Sequence, residues 1–287
     1  MSRRYAVIGN PVAHSRSPAI HAQFARQTGI ELEYGRILAP VDGFVDAVER
    51  FRDDGGCGLN VTLPFKVDAF AWAARHSARA AEAGAVNTLR FDTGAAEGAW
   101  GDNTDGPGLV RDLVERCGVV LSGRAVLLLG AGGAARGVVG PLLDAGVARL
   151  VVANRSRGNA ERLVGKFAAR AVRPVCIGLD AVEPGFDLVL EASGSGLRDE
   201  RVPLADEVFA AASLAYDLFY AAAPTAFVRQ ALAAGCATAC DGLGMLVEQA
   251  AESFSVWHGV RPQTEPVYRA LREALRAETA GQRPIVR

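Results

Sequence analysis

Lysine and glycine carry much of the chemical information in this 287-residue chain. Of its 31 basic residues only Lys66 and Lys166 are lysines, and all the others are arginines. A guanidinium is effectively never deprotonated, whereas an ammonium is a compact charge with a proton to give. Lys66 follows Thr62-Leu63-Pro64-Phe65, just after a strand-like run, and the carboxyl end of a strand is where ligands sit in open α/β sheets. Asp105 could pair with it, although ahead of Gly106 and Pro107 it also reads as a helix N-cap. By type and spacing alone, a surface cation and a cap are the plainer readings of these two residues.

The glycines are more specific. Gly130-Ala131-Gly132-Gly133-Ala134-Ala135 lies between an apolar run, 125–129, and an apolar-periodic stretch reaching about residue 145. Gly130, Gly132 and Ala135 fit the dinucleotide pattern G-x-G-x-x-G/A. The first glycine allows the tight turn, the second lets the backbone approach a pyrophosphate, and a helix N-terminus offers unpaired N–H groups to the anion. A second buried run, 150–153, then ends in Asn154-Arg155-Ser156-Arg157. An acid there would hold a ribose 2′-hydroxyl, but guanidiniums suit a 2′-phosphate, so NADP is favoured over NAD.

Other chemistry-bearing residues say less. Ser17 before Pro18 reads as an N-cap with proline at the first helical position, while Ser15 has no such structural role. His14 has no nucleophile to serve and no second histidine at ligand spacing. Cys57, Cys117, Cys176, Cys236 and Cys240 are odd in number and scattered, which points to buried, inert thiols rather than a disulfide framework or a zinc site. No metal is expected.

These residues need strands and helices to position them. Strands are expected at 5–8, 33–38, 58–61, 86–91, 125–129, 150–153, 175–177, 187–191 and 214–218. Helices are expected near 17–28, 43–53, 67–75, 107–117, from the glycine turn to about 145, 157–169, 225–234, 243–257 and 265–277, with a turn at 92–94. Strands alternating with helices argue for an α/β fold with parallel sheets covered on both faces. The natural boundary lies at 106–122, which separates a domain over 1–105 from one over 123–242.

Composition bounds the rest. Basic and acidic residues nearly cancel, 31 against 32, with no block of like charge, so a nucleic-acid binder or a polybasic membrane protein is not expected. Uncharged stretches run to about 11 residues, short of the ~18 a bilayer span needs. The N-terminal apolar segment is too short for a secretory signal. A cytoplasmic protein is the expectation, and a monomer and a homodimer both fit.

Several segments together resemble the shikimate dehydrogenase family, whose members interconvert 3-dehydroshikimate and shikimate with NADP. They are Gly9-Asn10-Pro11 with His14-Ser15-Arg16-Ser17-Pro18, Asn60-Val61-Thr62-Leu63-Pro64-Phe65-Lys66, Gly84-Ala85-Val86-Asn87-Thr88 and Gly101-Asp102-Asn103-Thr104-Asp105-Gly106. The glycine turn, Asn154-Arg155-Ser156, Tyr216-Asp217-Leu218-Phe219-Tyr220 and Asp241-Gly242-Leu243-Gly244-Met245 continue the series in order. The resemblance implies two α/β domains with a cleft between them. The first domain would bind substrate, the second would be a Rossmann unit, and helices over 243–287 would return to the first.

Carried over by position, Lys66 and Asp105 are the catalytic pair. Ser15 and Ser17 hold the substrate carboxylate with Tyr220 nearby, and Thr62, Asn87 and Gln249 bind its hydroxyls. Cofactor contacts fall on Gly130, Ala131, Gly132, Gly133, Ala134, Asn154, Arg155, Ser156, Arg157, Leu218 and Gly242. The chain departs from the family at Asn159, where a second basic residue is common, and at Leu218 and Ala226, where Met and Pro are. At Glu191-Ala192-Ser193 it sets an acid near the cofactor loop in place of an Asn-Ala-Thr type segment. Two other readings remain: a quinate/shikimate dehydrogenase using NAD, and a nucleotide-binding regulator without turnover.

Overall fold

The computed structural model describes residues 3–91 and 98–281, so the turn expected at 92–94 lies outside the described residues. The chain divides into two compact units. The first gathers the residues up to Gly108 with Arg136–Pro141 and Val247–Thr264, and the second gathers Leu109–Ala135, Leu142–Leu246 and the chain from Glu265.

The first unit runs β1 (Arg3–Gly9), α1 (Ser17–Thr28), β2 (Leu32–Leu38), α2 (Phe44–Asp53), β3 (Gly56–Val61), α3 (Lys66–Trp72), β4 (Arg75–His76), α4 (Ala78–Ala83), β5 (Thr88–Phe91), β6 (Ala99–Asp102) and the start of α5 (Asp105–Arg111). Its sheet order is β2-β1-β3-β5-β6-β4. β1 pairs in parallel with β2 and β3, whereas β5 runs antiparallel to both β3 and β6. The sheet is therefore mixed, where alternation alone suggested a parallel one. Successive side chains of β1 serve opposite faces. Ala6 and Ile8 join Phe44, Val48, Phe65 and Ala69 in one buried cluster. Tyr5 instead stacks on Trp257 at 4.5 Å, on the side where Phe24 meets Phe254.

The second unit carries a π-helical turn (Asp112–Arg116), β7 (Ala125–Leu129), α6 (Gly133–Asp144, its middle counted with the first unit), β8 (Arg149–Ala153), α7 (Arg157–Gly165), β9 (Val175–Ile177), β10 (Leu188–Glu191), α8 (Asp206–Ala210), β11 (Leu214–Asp217), α9 (Ala226–Ala233) and β12 (Ala239–Asp241). Every strand pair is parallel. The sheet order is β12-β11-β10-β7-β8-β9, which read from β9 is the doubly wound 3-2-1-4-5-6. The order reverses between β7 and β10, so ligands belong beyond the carboxyl ends of those two strands. Leu127, Leu129, Val151, Val189 and Ala215 form its core with Phe209 and Phe227, as strands buried on both faces require.

The closing helices divide. α10 (Leu243–His258) joins the first unit from Val247, and α11 (Glu265–Gly281) groups with the second. In the second unit Arg272 forks onto Asp241, and the Arg116 guanidinium lies 3.5 Å from the Tyr268 ring centroid. β4, α4, α8 and β12 are elements that periodicity missed, and α3 ends at Trp72 because Ala73 turns extended (ψ 131°) to enter β4. Among the described residues, no helix is long and apolar enough to cross a membrane, and no group of three or more His, Cys, Asp or Glu is placed to hold a metal ion.

Candidate active site

Lys66 opens α3 directly after Phe65, a fully buried ring that stacks on Phe44 at 5.2 Å and anchors the turn. The Lys66 carbonyl accepts from the Val86 N–H at 2.8 Å. An ammonium at the start of a helix faces the positive end of the peptide dipoles, so the placement needs a carboxylate. Asp105 supplies it, with Nζ to Oδ2 at 2.5 Å and the two side chains only 12% and 6% exposed. The plainer readings of this pair fail: Lys66 is not a solvated cation, and Asp105 is itself the first residue of α5.

The other Asp105 oxygen accepts from the Asn87 amide at 2.8 Å. That amide also points at Thr104 Oγ1, 2.9 Å, and Gln249 Oε1, 3.3 Å, while Asn87 Oδ1 accepts from the Thr104 N–H at 2.8 Å. Lys66, Asn87, Asp105 and Gln249 therefore form one cluster. α10 can bring Gln249 so near because residue 108 is glycine: a Cβ there would lie 2.7 Å from both the backbone nitrogen and Cβ of Gln249.

Behind this cluster lies a buried polar layer that sequence reasoning missed. The Ser253 hydroxyl, fully buried, lies 2.8 Å from Thr88 Oγ1 and 3.1 Å from Thr104 Oγ1, accepts from the Asn60 amide at 2.9 Å and donates to the Gln249 carbonyl at 3.0 Å. The Tyr34 hydroxyl donates to Asn60 Oδ1 at 2.6 Å, and burial pushes that phenol well up, so it stays a donor. One signal could have flagged Ser253, because it sits one helical turn after Gln249 and shares its face.

Ser15 and Thr62 come from loops at the carboxyl ends of neighbouring parallel strands, and Ser17 opens α1 just after the first of these loops. β1 and β3 pair Ile8 with Val61, and the loops beyond them meet where the Asn10 N–H donates to the Leu63 carbonyl at 2.8 Å. Asn10 also donates its amide to Ala39 O, and Arg36 forks onto the Ser15 carbonyl at 2.7 and 3.1 Å. The Thr62 N–H donates to Ile8 O at 2.9 Å. Ser15 Oγ donates to Ser17 Oγ at 3.2 Å, so the two hydroxyls are adjacent. Ser17 is not the expected N-cap. The helix starts at Ser17, the cap position falls on Arg16 and no side chain caps it. His14 is exposed.

In the second unit, Gly130 takes φ +106°, and a Cβ there would stand 2.8 Å from the Ala192 backbone beyond β10. Gly132 has nothing within 4 Å of where its Cβ would be, and Gly133 begins α6. The turn thus leaves open space at Gly132, with Ala131 buried and Ala134 in the first turn of α6. After β8 the Asn154 amide donates to Ser156 O at 2.8 Å and shapes the segment. Arg157 pairs with Glu161 at 2.9 Å, whereas Arg155 is exposed and enters no ion pair among the described residues.

Glu191 ends β10, just ahead of the Ala192-Ser193 backbone that borders this turn. It is 1% exposed, accepts from the Ser193 N–H at 2.8 Å and from the Ser193 hydroxyl, and burial pushes its carboxyl up. Leu218 follows β11, and the Gly242 N–H donates to Phe219 O at 2.9 Å. Tyr220 lies in the second unit with Leu218 and Gly242, its ring centroid 6.1 Å from that of Phe219, and not in the unit that holds Ser15 and Ser17.

Comparisons with known proteins agree. Residues 7–89 match the family model for the shikimate dehydrogenase substrate binding domain, 112–195 that for shikimate / quinate 5-dehydrogenase, and 242–272 that for the shikimate 5′-dehydrogenase C-terminal domain. A shikimate dehydrogenase (NADP(+)) of Janthinobacterium sp. is 54% identical over 94% of this chain and 97% of its own length. That of Bordetella petrii is 55% identical over 96% and 97%. The Thermus thermophilus shikimate 5-dehydrogenase in complex with NADP(H) and shikimate superposes with a TM-score of 0.83 at 35% identity, covering 95% of this chain and 99% of that one. The chain belongs to the shikimate dehydrogenase family.

Proposed function

We propose that the protein reduces 3-dehydroshikimate to shikimate with NADPH, reversibly, using Lys66 and Asp105 as its proton-handling pair. The observation that carries this is the buried 2.5 Å contact between Lys66 Nζ and Asp105 Oδ2, bordered by Asn87 and Gln249. NADPH, when bound, supplies a hydride to the ring carbonyl carbon. Negative charge then grows on the carbonyl oxygen, and Lys66 gives a proton to it, a role worth roughly 10²- to 10⁴-fold in rate. Asp105 holds the ammonium in place and offsets its charge between turnovers. In the reverse direction the same amine takes the hydroxyl proton.

The neighbouring residues bind and orient. Ser15 and Ser17 offer adjacent hydroxyls to the substrate carboxylate, with Tyr220 as a further donor, and Thr62, Asn87 and Gln249 meet the ring hydroxyls. The open turn at Gly130 to Ala134 suits a pyrophosphate, Asn154 to Arg157 suit the 2′-phosphated ribose, and Leu218 and Gly242 border the nicotinamide. The first unit is the substrate domain and the second the cofactor domain. The protein works on small molecules in the cytoplasm, as a monomer or a homodimer, without nucleic acid or membrane.

The test is the near-ultraviolet absorbance of reduced nicotinamide, followed with shikimate and either NADP or NAD. Turnover with NADP well above that with NAD is expected. Equal rates would point to the quinate/shikimate type with NAD, and no turnover with either would leave a nucleotide-binding regulator.

A further inference from the structure

Five scattered cysteines suggested inert, buried thiols, but only Cys236 is buried, and Cys57, Cys117, Cys176 and Cys240 are all partly exposed. Two of them meet: Cys117 Sγ lies 3.8 Å from Cys240 Sγ. Their positions in the fold matter. Cys117 ends the π-helical turn Asp112–Arg116, just ahead of β7, and Cys240 is the middle residue of β12. In chain order β7 is the first strand of the second sheet and β12 the last, and in space β7 is an interior strand and β12 an edge, so a bond between the two sulfurs would tie the chain just ahead of the central strand to the edge strand.

A disulfide needs its sulfurs about 2.05 Å apart. Closing 3.8 Å asks each sulfur to move by a little under ~1 Å, within reach of a small side-chain rotation. The environment also favours reaction at one member. The hydrogen bond from Cys117 draws the Cys240 thiol downward toward the thiolate, against burial and the nearby Asp112 and Asp241 carboxylates, with the Arg116 guanidinium assisting. A thiolate, not a thiol, is the attacking species. The remaining cysteines lack this arrangement: Cys236 and Cys57 point their thiols at backbone carbonyls.

We propose that Cys117 and Cys240 are a modification site that takes hydrogen peroxide, closing to an intramolecular disulfide that ties the edge strand β12 to the segment leading into the central strand β7. The Cys240 thiolate attacks one peroxide oxygen, the O–O bond breaks, and the departing hydroxide takes up the proton that Cys240 released, giving a sulfenic acid and water. Cys117 sulfur then attacks the sulfenic sulfur, the S–S bond forms, the S–O bond breaks, and hydroxide leaves with the Cys117 proton as a second water. The thiol pair loses two electrons and one peroxide is reduced to two waters. None of this depends on the reductase reading.

The full-length protein, treated with hydrogen peroxide and then unfolded, provides the test through thiol titration, intact mass and a peptide map. The five free thiols should fall by two, the mass should fall by two hydrogens, and one cross-linked peptide should join Cys117 to Cys240. Dithiothreitol should reverse all three. Because the bond closes a loop through most of the second unit, the oxidised protein should melt at a higher temperature. Cys117→Ser and Cys240→Ser should each abolish the cross-link, and Cys57→Ser should leave it. No thiol loss, a gain of oxygen without a cross-link, a bond between other cysteines or between chains, or an unchanged melting point after cross-linking would overturn the proposal.

Discussion

Arg155 and Arg157 are two residues apart, yet one is spoken for and the other is free. Glu161 holds Arg157 on the surface of α7, and Arg155 stands exposed at the end of β8 without an ion pair among the described residues. Arg155→Ala is therefore expected to raise KM for NADP by roughly tenfold or more, since a hydrogen bond to a charged group is worth about 1.5–3 kcal/mol. KM for NAD should barely move, and an equal loss for both would remove Arg155 from the 2′-phosphate. This choice was half legible: the sequence showed two guanidiniums where a carboxylate would favour NAD, but not which was already paired. The meeting of Lys66 with Asp105 was legible only through the family resemblance, since by type and spacing a surface cation and a cap were the plainer readings. Ser253 was not legible, because a serine gains its role from the hydroxyls of Thr88 and Thr104 that strands and loops far away in sequence bring to it.

At the scale of elements, the approach of α5 to α10 sets the distance between Gln249 and Asn87. Gly108→Ala would put a methyl 2.7 Å from the Gln249 backbone nitrogen and 2.9 Å from its Cα, and backbone cannot yield as a side-chain tip can. Overpacking of this kind costs about 1–3 kcal/mol. The expected result is a lower midpoint in urea and a KM for shikimate raised more than KM for NADP; normal values of both would show that α10 does not need the close approach. Thr225 makes a second elementary test. It caps α9 by accepting from the Val228 N–H at 3.3 Å and donates to Asp217 at 2.6 Å, so Thr225→Ala should cost about 1–2 kcal/mol in chemical denaturation. The elements that sequence missed, β4, α4, α8 and β12, span two to six residues, too few for a period to declare itself. The antiparallel run of β5 was hidden for another reason, since strand direction depends on pairing and not on the pattern within a strand.

Across the whole molecule, the short apolar runs of the second unit announced their parallel sheet, while the return of closing helices to the first unit was implied only by the resemblance and holds for α10 from Val247 but not for α11. Stability should also depend on pH through two buried groups of opposite sign. His21, fully buried, stacks on Tyr34 at 4.3 Å, and burial, opposed in part by Asn60, pushes it down to about 3. Below about pH 6.5 the unfolded chain binds a proton that the folded state refuses, so stability falls by ~1.4 kcal/mol per pH unit from this group as pH drops toward 3. Asp217 is pushed up to about 6, chiefly by burial. Its folded form binds a proton first, so its contribution is full below about pH 4 and is lost as pH rises toward 6. His21→Phe should flatten the decline of urea stability between pH 6.5 and 4 and Asp217→Asn should steepen it; slopes unchanged from the parent would contradict both assignments. The most direct measurement concerns the proton itself. Lys66→Ala, shown to be folded by circular dichroism and to bind NADP normally, is expected to lose roughly 10²- to 10⁴-fold in kcat for shikimate oxidation with a smaller change in KM. A folded variant with near-normal kcat would contradict the assignment of proton transfer to the Lys66 amine.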